Sequence, residues 1–115
     1  KMKIINEEIE LKDIKEMAAR GFGNFVKAVV DIEKGIMAID GELHSDEETL
    51  LLENGSGQEN LWGINLYPEL KGEEFIEFDS MINLRPFQGN RSRGINDPQI
   101  RQKIRVIVEK LVKIM

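Results

Sequence analysis

The sequence predicts an α+β fold: a single domain over residues 2–115, with an antiparallel sheet of four or five strands in a hairpin meander and an N-terminal and a C-terminal helix. Three observations predict it. Short segments rich in valine and isoleucine are joined by glycine-bearing turns through most of the chain. Apolar residues recur at three and four near both ends. A length of 115 residues supplies one modest core and not two.

Lys1 before Met2 reads as an added residue, with Met2 the expected start. Met2 to Ile5 reads as a short strand. Leu11, Ile14, Met17 and Ala18 then form one apolar stripe, which predicts a helix over about 11 to 20. Gly21-Phe22-Gly23-Asn24 ends it, since glycine suits the position just past a helix. Phe25 to Ile32 follows as a well-buried strand interrupted only by Lys27 and Asp31. Glu33-Lys34-Gly35 turns the chain, and Ile36 to Ile39 returns beside that strand as a hairpin.

The stretch 42–53 is ambiguous. Ser45 with Glu48 fits a capping box, while Thr49-Leu50-Leu51-Leu52 suits a strand. The turn cluster Asn54-Gly55-Ser56-Gly57 and the alternation in Leu61 to Tyr67 favour a strand over 48–53 and a second hairpin, stopped by Pro68. Phe75 to Leu84 is the longest strand candidate, with Ile76, Phe78, Ser80, Ile82 and Leu84 on one face and Glu77, Asp79, Met81, Asn83 and Arg85 on the other. Pro86 to Asn96 is an irregular loop. Asp97-Pro98 is a strong helix start, and the helix runs to about Lys113 with Ile100, Ile104, Ile107, Leu111 and Ile114 as its seam. The expected buried residues are Val26, Val30, Ile76, Phe78, Ile82, Ile104 and Ile107.

Composition narrows the function classes. With no cysteine there is no disulfide framework, zinc finger or thiol nucleophile, and a cytoplasmic location is the plainest expectation. No apolar run approaches the roughly 20 residues that span a bilayer, so membrane insertion is disfavoured. Charge is split along the chain. Residues 1–84 hold 8 Lys and Arg against 19 Asp and Glu, a net of −11, whereas residues 85–115 hold 8 against 2, a net of +6. Either the basic segment packs back on the acidic body, or it meets an anion. The overall charge of −5 makes nucleic acid an unfavoured partner.

Several segments together carry a family pattern: Val29-Val30-Asp31-Ile32-Glu33-Lys34-Gly35, Gly41-Glu42-Leu43-His44, Leu61-Trp62-Gly63-Ile64-Asn65-Leu66-Tyr67-Pro68, Asp79-Ser80-Met81-Ile82-Asn83-Leu84-Arg85-Pro86 and Gly89-Asn90-Arg91-Ser92. The chain resembles, over roughly Met2 to Val112, a family of small bacterial and archaeal proteins catalogued only as a domain of unknown function. The resemblance implies no activity, cofactor or partner, and no functional residue is carried over from it.

Two constellations remain from the residues themselves. Glu42, His44 and Asp46 alternate, so an extended backbone would project them from one face as catalytic candidates, with His44 a general base and a carboxylate orienting it. A single histidine is too few for a convincing metal site, so none is assigned, and no cofactor motif is present. The bland alternative is a solvated acidic loop. Asn83, Arg85, Asn90, Arg91 and Arg93, with Gln88 and Ser92, crowd amide and guanidinium donors that suit an oxyanion. Their alternative is to tie down an irregular loop. Trp62, Tyr67, Phe75 and Phe78 read as core rather than as a stacking surface. The leading expectation is a binding or interaction module for a small anionic ligand, ahead of a small hydrolase or metal-dependent enzyme using His44. The apolar surplus on the last helix adds a homodimer as an expectation.

Overall fold

The structure, a computed structural model, describes residues 1–114. Its central feature is the expected hairpin, β3 (Val26–Asp31) with β4 (Ile36–Ile39). Gly35 closes the turn at φ 70°, a conformation that strongly favours glycine. Asp31 is buried there and accepts from the Glu33 and Lys34 amides, both at 2.9 Å, and from the Ser56 hydroxyl at 2.6 Å. Strand β1 (Lys3–Ile5) adds beside β4, and β5 (Leu61–Leu66) beside β3. A two-residue β6 (Ile76–Glu77) follows β5, so the antiparallel sheet runs β1-β4-β3-β5-β6. A separate parallel pair joins β2 (Ile9–Glu10) to β7 (Val112–Lys113).

Helix α1 (Leu11–Arg20) and helix α3 (Pro98–Leu111) form where the periodicity places them. Gly23, at φ 102°, ends α1 by donating to the Ala18 carbonyl at 2.7 Å. Asp97 caps α3 by accepting from the Gln99 amide at 2.9 Å, with Pro98 at the first helical position. Ile14 and Met17 of α1 and Ile104, Val108 and Leu111 of α3 bury against Val30, Trp62 and Ile64 of the sheet. Val26, Val30, Ile76 and Ile104 are buried as expected, while Phe78, Ile82 and Ile107 are only partly covered.

Two sequence expectations are corrected. Residues 48–53 are not a strand: they belong to helix α2 (His44–Glu53), so β5 pairs with β3 and β6 and the second expected hairpin does not exist. The inward stripe of α2 is His44, Glu47 and Leu51. Two of those three positions are ionisable, which hides the helical periodicity. The Ser45–Glu48 capping box is unused; α2 starts two residues earlier, from Leu43, without a side-chain cap. Helix α2 covers the opposite face of the sheet, where Leu51 meets Val29, Ala38 and Leu61. Helices therefore lie on both faces of the sheet.

The second correction concerns 75–84, which is strand only at Ile76–Glu77. Ser80 then accepts from the Ile82 amide at 3.2 Å and starts a single 3-10 turn, Met81–Asn83, followed by another at Pro86–Gln88. The turn inverts the alternation. Asn83 and Arg85 lie inside and Leu84 outside, while Met81 is exposed as expected. Among the described residues no helix is long and apolar enough to cross a membrane.

Candidate functional site: an open sheet face beyond helix α2

Side chains at i and i+2 of a strand share a face, so Lys27 projects from β3 on the same side as Val29, toward α2. Its register partner on β5 is Asn65, whose partner on β6 is Glu77. These three make one row across the sheet. Asn65 is only 6% exposed; its amide nitrogen donates to Glu77 Oε1 at 3.0 Å and to the Asp79 carbonyl at 3.3 Å, and its Oδ1 has no partner.

Three aromatic rings border this row. Phe22 stacks on Phe25 with centroids 4.8 Å apart, and Phe25 stacks on Tyr67 at 5.5 Å. The Tyr67 hydroxyl donates to Glu77 Oε1 at 2.9 Å, and the Lys27 ammonium sits 4.9 Å from the Phe22 centroid. Burial, then the bond to Glu77, raises the Tyr67 hydroxyl above its ordinary pKa. None of the three rings belongs to either apolar core, and Phe22 is 45% exposed. Trp62, by contrast, is a core residue, with Phe75 and Phe78 packed against the same core.

His44 sits at the edge of this face. Its Nε2 lies 2.7 Å from the Ile64 carbonyl. Since a carbonyl can only accept, Nε2 carries the proton and Nδ1 presents the lone pair in the neutral ring. Burial lowers the ring's pKa most; the Ile64 bond opposes that shift, Lys27 and Arg93 reinforce it, and Asp79 opposes it. The ring is therefore neutral at pH 7. Asp79 accepts from Arg93 Nε at 2.7 Å in a half-exposed ion pair.

The structure separates His44 from its expected companions. Residues two apart on a helix point about 200° apart, so Asp46 faces away from His44. Glu42 and Asp46 are exposed and line a cleft of about 360 Å³ with Arg20, Asp40 and Gly41. Glu47 is fully buried beside that turn. It accepts from the Gly41 amide at 2.8 Å, its second oxygen has no partner, and burial pushes its pKa up to about 9. Among the described residues no group of three or more His, Asp or Glu is arranged to hold a metal ion.

Asn83, Arg85 and Asn90 come together as an inner brace. Asn83 accepts from the Gly63 amide at 2.8 Å and donates to the carbonyls of Gly63 and Arg93, both at 3.0 Å. Asn90 donates to the carbonyls of Asn83, Ser92 and Gly94 and accepts from the Asn96 amide. Arg85 donates to the carbonyls of Gln58 and Leu61 and stacks 4.1 Å over the Trp62 ring. Arg91 and Arg93 are exposed on the following turn. Sequence reasoning missed Phe22, Phe25, Lys27, Asn65 and Glu77. Only Lys27 left a signal, as a charge inside an otherwise buried strand.

The chain belongs to a protein family of unknown function, DUF5674, whose model matches residues 3–111. That agrees with the resemblance carried by its segments. No curated protein and no solved structure matches the sequence.

Proposed function

We propose that this member of a family of unknown function is a small binding module that takes a small planar anion on the open sheet face beyond α2. One observation carries the reading: the Phe22–Phe25–Tyr67 stack lies outside both cores and runs beside the Lys27–Asn65–Glu77 row. An exposed ring beside an ammonium group offers a stacking surface with charge to match. Lys27 and Arg93 supply the cations, and Arg91 extends the basic edge. In this reading Asn83, Arg85 and Asn90 serve the anion site by fixing the loop that carries both exposed arginines. A cytoplasmic setting, in keeping with a chain without cysteine, belongs to the same proposal.

The test is a titration of the labelled protein with benzoate, adenosine monophosphate and inorganic phosphate at low salt. The expected result is that the first two shift the amide resonances of residues 22–27 and 65–67 together with those of 91–93, while phosphate shifts 91–93 alone. If no probe moves any of these resonances at millimolar concentration, the face is structural.

A second reading, a small hydrolase with His44 as general base, is supported by the fixed tautomer that leaves Nδ1 as the acceptor. It requires ester hydrolysis that His44→Gln abolishes without lowering the melting temperature. Dimerisation through α3 is the partner reading. It rests on Val106 and Ile114, the exposed apolar residues near the end of the chain.

A further inference from the structure

We infer that the ligand of this face carries an N–H donor as well as its anionic group, so that amino-substituted aromatic anions bind in preference to plain ones, which presupposes that the face is an aromatic-anion site. The row across the sheet is polarised. Lys27, Asn65 and Glu77 stand side by side on β3, β5 and β6, so a cation and a carboxylate bracket a neutral amide. Two strand spacings, about 10 Å, separate the ends of the row.

Both ends have binding capacity to spare. Lys27 is half-buried, sits over the Phe22 ring and has no ion pair among the described residues. Glu77 is exposed, and the bonds it accepts from Asn65 and Tyr67 both end on Oε1, so Oε2 is without a partner. Arg93 is the other cation near the row, but its Nε is already paired with Asp79. That pair cancels, leaving one uncommitted ammonium at the β3 end and one carboxylate at the β6 end.

The groups between and beside them are acceptors. The Asn65 amide nitrogen meets Glu77 Oε1 and the Asp79 carbonyl, both of which can only accept, so the atom left without a partner is the oxygen. A buried acceptor without a donor is costly, and an N–H brought by a ligand removes that cost. At the edge of the face, His44 donates through Nε2 to the Ile64 carbonyl and keeps the Nδ1 lone pair, to which nothing among the described residues donates. A ligand lying along the row therefore meets an ammonium at one end and acceptors at the other. A carboxylate or phosphate on Lys27 is matched, a second anion at Glu77 is repelled, and an amine there donates to Oε2. The flat part of the ligand lies against the bordering Phe22–Phe25–Tyr67 stack. Two sources share this chemistry, an aryl carboxylate with a ring amine and a nucleotide whose base carries one.

Dissociation constants of the full chain at low salt test this with matched probes: benzoate against para-aminobenzoate and terephthalate, and purine riboside monophosphate against adenosine monophosphate. The amine should tighten binding about ten-fold in at least one pair, the worth of one hydrogen bond to a charged acceptor, and terephthalate should bind more weakly than benzoate. Which pair shows the gain identifies the source. Glu77→Gln keeps Oε1 for Asn65 and Tyr67 but replaces Oε2 with an N–H donor, so it should abolish the gain from the amine without weakening benzoate. Equal binding of benzoate and para-aminobenzoate, with the two nucleotides also equal, overturns this inference and leaves the anion site standing. So does terephthalate binding as tightly as benzoate, or an amine preference that survives Glu77→Gln. Binding of no probe at all overturns the aromatic-anion site itself, and the donor requirement falls with it.

Discussion

The Asn83 side chain completes the hydrogen bonding of Gly63 as a neighbouring strand would. Its Oδ1 accepts from the Gly63 amide and its Nδ2 donates to the Gly63 carbonyl. Strand β6 reaches β5 only at Asn65 and Leu66, so one side chain does at Gly63 what a strand does two residues further on.

Removing that side chain leaves buried backbone groups without partners. Asn83→Ala should destabilise the protein by about 3 kcal/mol, since each unsatisfied buried group costs on the order of 1–3 kcal/mol. Urea unfolding should show this as a lower midpoint with an unchanged slope. A midpoint equal to that of the wild type would mean that water replaces the amide.

Gly63 is required for a second reason. A Cβ built there would lie 2.5 Å from Ser80 Cβ and 2.6 Å from Ser80 Oγ. Gly63→Ala should therefore cost about 2 kcal/mol through overpacking. Combining it with Ser80→Gly should recover part of that loss. A double variant no better than the additive sum of the two singles argues that the clash is relieved by backbone movement instead.

Glu47 sets a pH dependence. Its folded pKa, pushed up to about 9 by burial, lies above the ordinary 4.5, so between those values the folded state holds a proton that the unfolded state has lost. Its contribution to stability is full below pH 4.5, declines at up to about 1.4 kcal/mol per pH unit as pH rises, and levels off above 9. Glu47→Gln should flatten the curve and make the protein more stable than wild type at pH 8. Chemical denaturation across pH 5 to 9 reads both effects.

The apolar seam expected of the last helix divides by depth, and its final member, Ile114, lies beyond the end of α3 at Leu111. Ile104 is fully buried, so Ile104→Asp places an unpaired charge in the core and should unfold the domain. Ile114 is exposed, and Ile114→Asp should change stability by less than about 0.5 kcal/mol. Circular dichroism melts of the two variants separate the cases, and a folded Ile104→Asp protein would contradict the packing of α3.

Legibility in the sequence followed locality. The β3–β4 hairpin, the α1 stripe and the Asp97-Pro98 start are each specified by residues close together along the chain, and each lies where its residues predict. The α2 stripe was hidden because His44 and Glu47 occupy inward positions that a period search expects to be apolar. The 75–84 alternation misled because Ser80 ends it by a side-chain bond to the Ile82 amide. That bond decides which of Asn83 and Leu84 goes inside. Of the candidate site, the loop donors were visible as a cluster, but their inward bonds to Gly63, Gln58 and Leu61 join segments 20 or more residues away along the chain. The Phe22–Phe25–Tyr67 stack likewise depends on the β3–β5 register, which no local pattern encodes.

The parallel pairing of Ile9–Glu10 with Val112–Lys113 has a consequence for the order in which the chain is made. The sheet is complete once Glu77 has emerged from the ribosome, and α2 can already cover one face. The other face, with Val30, Trp62 and Ile64, waits for Ile104, Val108 and Leu111, which are translated well after Glu77. At roughly 5–20 residues per second, the nascent sheet stays half-covered for a few seconds. During that interval its apolar strands lack the cover of α3, and the pairing of Ile9–Glu10 with Val112–Lys113 forms only once that helix has been made.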